Sequence, residues 1–137
     1  MDRRITPEKI VVLRVDEIFV FGSNLAGRHG LGAALIAVNS FGAKYGIGEG
    51  LSGQTYAIPT KDVNMKVRSI EDIQESIKKF FIFVERNSHI RFLVTKIGCG
   101  YAGYTPEDIA PLFKDAIDLK NVYLPIEFIT LIENNEI

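Results

Sequence analysis

Two glycine-punctuated loops hold most of the side chains in this chain that can do chemistry. The first, residues 22–30, presents Gly22, Ser23, Asn24, Arg28, His29 and Gly30, and leads into Gly32 and Ala33. The second holds Gly98, Cys99, Gly100, Tyr101, Ala102, Gly103 and Tyr104. Each loop follows a short apolar run, residues 18–21 or 91–96, and precedes a helical pattern. Strand, glycine loop, helix is the order that aims backbone N–H groups at an anion above the strand's carboxyl end. Two such loops above neighbouring strands make one cleft, since ligands of open α/β sheets sit outside the carboxyl ends of the strands.

The individual side chains carry alternative readings. Asn24, at a strand end, is either a turn former or an amide that donates to and accepts from a pair of sugar hydroxyls. Arg28 is either a solvated loop residue or a fork for phosphate or carboxylate. Tyr101 and Tyr104 either cover a ribose or base, or pack their loop down. Lys61 follows a strand end directly; it is a solvated lysine beside Asp62, or an amine at the cleft rim that becomes a nucleophile once unprotonated. Cys99 fits a tight turn as a small residue, or acts as a nucleophile with His29 as its base, although Ile97 stands where a nucleophile elbow needs glycine. No metal site is expected, because the chain has two histidines, one cysteine and no zinc-type spacing. No cofactor is expected either.

The elements that must position these residues follow from periodicity. Residues 9–14, KIVVLR, read as a first strand and 17–21 as a second. A helix over 31–44 carries Leu35, Val38 and Phe41, with Gly32, Ala33, Ala34 and Ala37 small enough to let it lie close to a sheet. The glycine cluster 46–53 reads as a flexible turn: its Gly-x-Gly-x-x-Gly at 48–53 comes after a helix and before a strand, the wrong order for a dinucleotide fingerprint. A short strand at 56–59 is expected to stop at Pro59. Ser69 opens the longest helix with a capping-box-like pair to Asp72, and Ile70, Ile73, Ile77, Phe80, Phe81 and Val84 form its buried stripe. After the strand at 91–96, a third helix is expected to have Asp108 as its N-cap, which places Pro111 in the first turn. A strand at 122–124 and a terminal turn or short helix at 127–132 complete one domain over residues 1–137. The fold class is α/β: a three-layer α/β/α domain with a mixed, largely parallel sheet. The second Gly-x-Gly-x-x-Gly, at 98–103, has one strand left after it, so the chain does not read as a dinucleotide oxidoreductase, which needs a full βαβαβ half.

Composition narrows the partners. Hydrophobic content of 47% and a net charge of −1, from 16 basic and 17 acidic residues, describe a globular domain without the basic excess of a general nucleic-acid binder. The single cysteine fits a reducing compartment, and no apolar run approaches about 18 residues, so a cytoplasmic protein without membrane contact is expected. Nothing in the composition or motifs signals an oligomeric state.

The same residues resemble the macro domain family, the ADP-ribose-binding α/β fold, over about residues 9–124. The branch they look most like holds the terminal ADP-ribose protein glycohydrolase and the antitoxins that remove ADP-ribose from DNA. The run 17–24, EIFVFGSN, is similar to the family's strand ending in a cleft asparagine. Residues 30–34, GLGAA, resemble the glycine loop entering the helix beneath the distal ribose. Residues 96–101, KIGCGY, resemble the second loop, which holds the diphosphate. The string 21–34 also resembles a set of bacterial and phage-borne proteins. The resemblance implies ADP-ribose or an ADP-ribosylated macromolecule as partner, with Lys61 at the place of that branch's catalytic lysine. Two positions depart from the pattern. Asp16 is misplaced for the acid that reads adenine, and Ala102 stands where the glycohydrolases have an acid just after the second loop's glycines. The second departure implies a slow ADP-ribosyl glycohydrolase, since general acid–base help is worth about 10²- to 10⁴-fold; the alternatives are a non-catalytic ADP-ribose reader or sequestering module, or an interaction protein with a vestigial cleft.

Overall fold

The computed structural model describes residues 4–134. Five strands form one sheet in the order β2-β3-β1-β4-β5. β1 (Glu17–Asn24) is central and pairs in parallel with β3 (Thr55–Lys61) on one side and β4 (Arg91–Val94) on the other. β5 (Val122–Tyr123) continues the parallel set, and β2 (Gly50–Ser52) adds one antiparallel strand at the far edge. The sheet is therefore mixed and largely parallel.

Alternation along β1 decides the layers. Ile18 and Val20 face a large core shared with Tyr56, Ile58, Phe92, Val94 and the helices α2 (Ile70–Glu85), α3 (Pro106–Ile109) and α4 (Ile126–Asn134). Phe19 and Phe21 face the other way, onto α1 (Gly32–Phe41), whose inward residues are Ala34, Ala37 and Phe41. Small residues do the packing on α1, as their size suggested, while Leu35 lies 37% exposed on its outer side. On α2 the stripe of Ile73, Ile77, Phe80 and Val84 is fully buried, and the Ser69 hydroxyl accepts from the Asp72 N–H at 3.1 Å.

Several boundaries differ from expectation for physical reasons. Residues 9–14 are not a strand, because no strand edge lies beside them; the backbone of 9–13 makes no hydrogen bond among the described residues. The 46–53 cluster is not a free turn, since its last part is β2, paired with residues 55–57 of β3. β3 runs through Pro59 to Lys61. Ala57 is the last residue paired with β2, so no neighbouring strand asks Pro59 for an N–H. The third helix starts at Thr105 and not Asp108: Thr105 and Asp108 form a reciprocal capping box, with Pro106 at the first helical position. That helix then tightens into a 3₁₀ helix, Ala110–Asp118, which takes Pro111 in its first turn.

One contact fixes how loop one meets the β2 arm. A Cβ added to Gly48 would stand 2.2 Å from the Asn24 carbonyl oxygen and 2.8 Å from Leu25 Cα, both main chain. The Ser23 hydroxyl donates to the Gly48 carbonyl across the same contact. Gly48→Ala should therefore cost about 1–3 kcal/mol, the range of an overpacked core. Gly30→Ala, where an added Cβ meets nothing within 4 Å, should stay within about 0.5 kcal/mol. Urea unfolding of both variants checks the contrast.

Candidate functional site

β1 outruns one of its partners. Its pairing with β4 ends at Val20, while its pairing with β3 continues to Asn24 and Lys61. Beyond Val20 the chain after β4 turns away, Thr95 spending both its N–H and its hydroxyl on the Val20 carbonyl. The gap is a cleft of about 500 Å³ at the carboxyl ends of the parallel strands. Its size suits a small-molecule ligand.

Both glycine loops line it. Gly22, Ser23, Asn24, Arg28, Gly30, Gly32 and Ala33 come from loop one and the start of α1; Gly98, Cys99, Gly100, Tyr101 and Ala102 come from loop two; Lys61 comes from the end of β3. Gly103 and Tyr104 are not on its wall. Tyr104 holds loop two from behind, its N–H donating to the Gly98 carbonyl at 2.9 Å and its hydroxyl to the Arg68 carbonyl at 2.5 Å.

His29 is also absent from the wall. It is wholly buried, edge-on to Phe21 with ring centroids 5.3 Å apart. Its Nε2 lies 3.0 Å from the Ile47 carbonyl, which makes that nitrogen the donor. Arg28, its neighbour in the chain, is by contrast exposed and on the wall. His29 is thus no base for Cys99, whose thiol donates to the Ile97 carbonyl at 3.5 Å. Glu49 likewise is not among the residues of the cleft wall.

Asn24 is on the wall but largely engaged. Its Oδ1 accepts from the Arg28 N–H at 2.9 Å and its Nδ2 donates to the Arg28 carbonyl at 2.8 Å, so the amide clasps loop one. One N–H and one lone pair remain for a ligand. The guanidinium of Arg28 has no partner among the described residues, nor has the ammonium of Lys61. Asp62 does not neutralise Lys61, because its Oδ1 accepts from the Asn64 and Lys66 N–H groups and closes the turn after β3.

Sequence reasoning missed Leu31, Ala34, Thr60, Met65, Thr95, Lys96 and Ile97 as wall residues. Most of these signals were present, since each lies beside a strand end already read as pointing at the cleft. Met65 was not legible: it reaches the wall through the Asp62 turn, with a left-handed φ of 65°. Lys96 is held at the rim by Glu127 of α4, Nζ to Oε2 2.6 Å. That hydrogen bond raises the lysine's pKa and lowers the carboxylate's.

The wall has a definite charge and a definite set of free donors. It carries three cations, Arg28, Lys61 and Lys96, and no aspartate or glutamate, in a chain of net charge −1. The N–H groups of Gly32, Ala33 and Ala34 open α1 without acceptors, because the N-cap is Leu31 and has no side-chain oxygen to offer. Opposite them, the N–H groups of Gly100, Tyr101 and Ala102 also have none among the described residues. Donors and charges of this kind are the groups that suit an anion. Among the described residues no group of His, Cys, Asp and Glu is placed to hold a metal ion, and no helix is long and apolar enough to cross a membrane.

Comparison of the chain with protein-family models, curated proteins and solved structures finds no match.

Two measurements follow from the electrostatics. Burial, ahead of the neighbouring charges, pushes the Cys99 thiol up to about 11. Its alkylation by iodoacetamide at pH 7.5 should run on the order of a hundredfold slower than that of an ordinary exposed thiol. The Lys96–Glu127 pair stabilises the fold between the two titrations. The lowered carboxylate makes its contribution vanish as pH falls through the acid range, and the raised ammonium as pH climbs past the ordinary lysine value. Both side chains are more than a third exposed, so Glu127→Gln should cost about 0.2–1 kcal/mol at pH 7. The difference between variant and parent should shrink as unfolding is measured at pH values progressively below the ordinary carboxylate range.

Proposed function

We propose that the cleft binds ADP-ribose or a related nucleotide diphosphate-sugar, and that the chain acts as a reader of that group. What supports the reading best is the wall itself: two sets of free backbone N–H groups and three cations face one space that contains no carboxylate. A diphosphate supplies the acceptors and the charge that these groups lack. The exposed side chains of Leu31, Met65 and Tyr101 add apolar surface at the rim for the flat and sugar parts of such a ligand. The resemblance of loop one, loop two and Lys61 to the macro domain family agrees with this chemistry.

Removal of ADP-ribose from a macromolecule is the second reading, favoured by the unpaired Lys61 amine on the wall. In that reaction the unprotonated amine attacks the anomeric carbon of the distal ribose, and the bond from that carbon to the macromolecule's oxygen or nitrogen breaks. The leaving atom needs a proton, and a water must later be activated to release the lysine adduct. With Ala102 on the wall and no carboxylate beside it, both transfers fall to solvent, which makes turnover slow.

The decisive variant is Gly100→Val. A Cβ there meets nothing within 4 Å, so the fold should be retained while the side chain occupies the space beside the free N–H groups. The parent should gain about 2.7 kcal/mol from ADP-ribose at 100 times its dissociation constant, and the variant should gain none. Equal stabilisation of both by thermal shift would remove the phosphate-cradle reading. Borohydride trapping with ADP-ribosylated protein and DNA separates reader from enzyme. An adduct present in the parent and lost in Lys61→Ala establishes the enzyme; tight binding without adduct or release establishes the reader.

A further inference from the structure

Met65 breaks a local rule of its own turn. The chain leaves β3 at Lys61 and comes back at Val67, which bridges to Lys61 antiparallel. Between them the Asp62 N–H donates to the Lys66 carbonyl at 2.8 Å, and the Met65 N–H to the Asp62 carbonyl at 3.0 Å. Residues 63–65 are thus a three-residue hairpin loop, whose last position takes a left-handed backbone and favours glycine. Met65 occupies it with a φ of 65°, the one non-glycine residue of positive φ among the described residues. A side chain there crowds the following carbonyl oxygen, a penalty that glycine escapes and asparagine lessens. Asn64 stands one place too early to take it.

The fold does not use the side chain. Met65 is 39% exposed and belongs to neither hydrophobic core. The turn closes without it, since Asp62 Oδ1 also accepts from the Asn64 and Lys66 N–H groups. What Met65 reaches is the cleft, where it stands on the wall with Thr60 and Lys61. Val63, in the same loop, is also apolar and exposed, yet it is not on the wall. A strained backbone kept at a ligand cleft points to function rather than folding.

We propose that Met65 determines specificity: it packs against the rings joined to the diphosphate, so that the cleft prefers a nucleotide diphosphate-sugar to bare pyrophosphate. The inference rests on the diphosphate reading of the cleft. Free N–H groups and cations meet the phosphates of both ligands alike, so discrimination falls to apolar surface on the wall. Tyr101 leans on the start of α1, a ring carbon 3.2 Å from where a Gly32 Cβ would stand. Met65 is the apolar side chain that the β3 side contributes. Its flexible, polarisable thioether suits the face of a ring.

Calorimetric titration of the full chain with ADP-ribose and with inorganic pyrophosphate tests this. Met65→Gly should weaken ADP-ribose about five- to tenfold, the share of a partly buried apolar side chain, and leave pyrophosphate within about twofold. Met65→Leu keeps the apolar bulk and should stay within about threefold for both ligands. Val63→Ser, off the wall, should change neither. Without ligand, Met65→Gly and Met65→Asn should unfold at or above the parent's thermal midpoint, because each relieves the left-handed strain. Equal ADP-ribose affinity in parent and Met65→Gly overturns the proposal, as does an equal loss for both ligands or a lowered midpoint in both variants. Those outcomes leave the diphosphate cradle standing. A parent that binds neither ligand removes the cradle reading, and the role of Met65 with it.

Discussion

Everything at the site depends on β1 being paired in parallel on both sides. Parallel neighbours cannot be joined by a hairpin, so each return crosses a face of the sheet and each strand delivers its following loop to the same end. Loop one after β1, the Asp62 turn after β3 and loop two after β4 are therefore brought together by topology before any side chain is chosen. The unequal length of the two ladders then makes the opening. Had β4 kept pace with β1 to Asn24, Thr95 to Gly98 would lie in the sheet, and loop two could not open the space beside loop one.

Much of this was legible because the signals were local. The apolar runs of β1, β3 and β4, the stripe on α2 with its Ser69 cap, and the small residues on α1 each depend on a few neighbouring positions. What stayed hidden depended on partners distant in sequence. KIVVLR at 9–14 has strand propensity, but propensity does not supply an edge to pair with. The glycines at 48–53 look like a flexible turn until β3 offers residues 55–57 as a template, after which Gly48 is a point of close packing and Gly50 the start of a strand. Thr105 and Asp108 carry their capping box in plain sequence, but Pro111 is a competing helix-start signal and points to a later N-cap.

The candidate site divides in the same manner. Gly22, Gly30, Gly32, Gly98 and Gly100 and the start of α1 lie on the cleft wall, while Gly103 does not. Side-chain direction was harder. His29 and Arg28 are adjacent, yet one is sealed beside Phe21 and the other faces the cleft. Asn24 faces it too, but spends its amide on holding Arg28. Its role in the proposed site is thus to set the shape of loop one first and to touch a ligand second.

The placement of acids carries the functional argument furthest. Among the described residues no aspartate or glutamate lines the cleft. Of the acids beside the rim lysines, Asp62 is committed to the turn after β3 and leaves Lys61 free, while Glu127 pairs with Lys96. A binding site for a diphosphate profits from that arrangement, because each carboxylate kept out removes a repulsion and leaves a cation free. A glycosyl-transferring site loses by it, because leaving-group protonation and water activation both need a group that can exchange a proton near neutrality. Lys61 alone offers a nucleophile without either helper. On the proposed reading, then, the features that strengthen retention of the ligand are the ones that weaken its cleavage, and the cleft is better built to hold an ADP-ribose group than to turn it over.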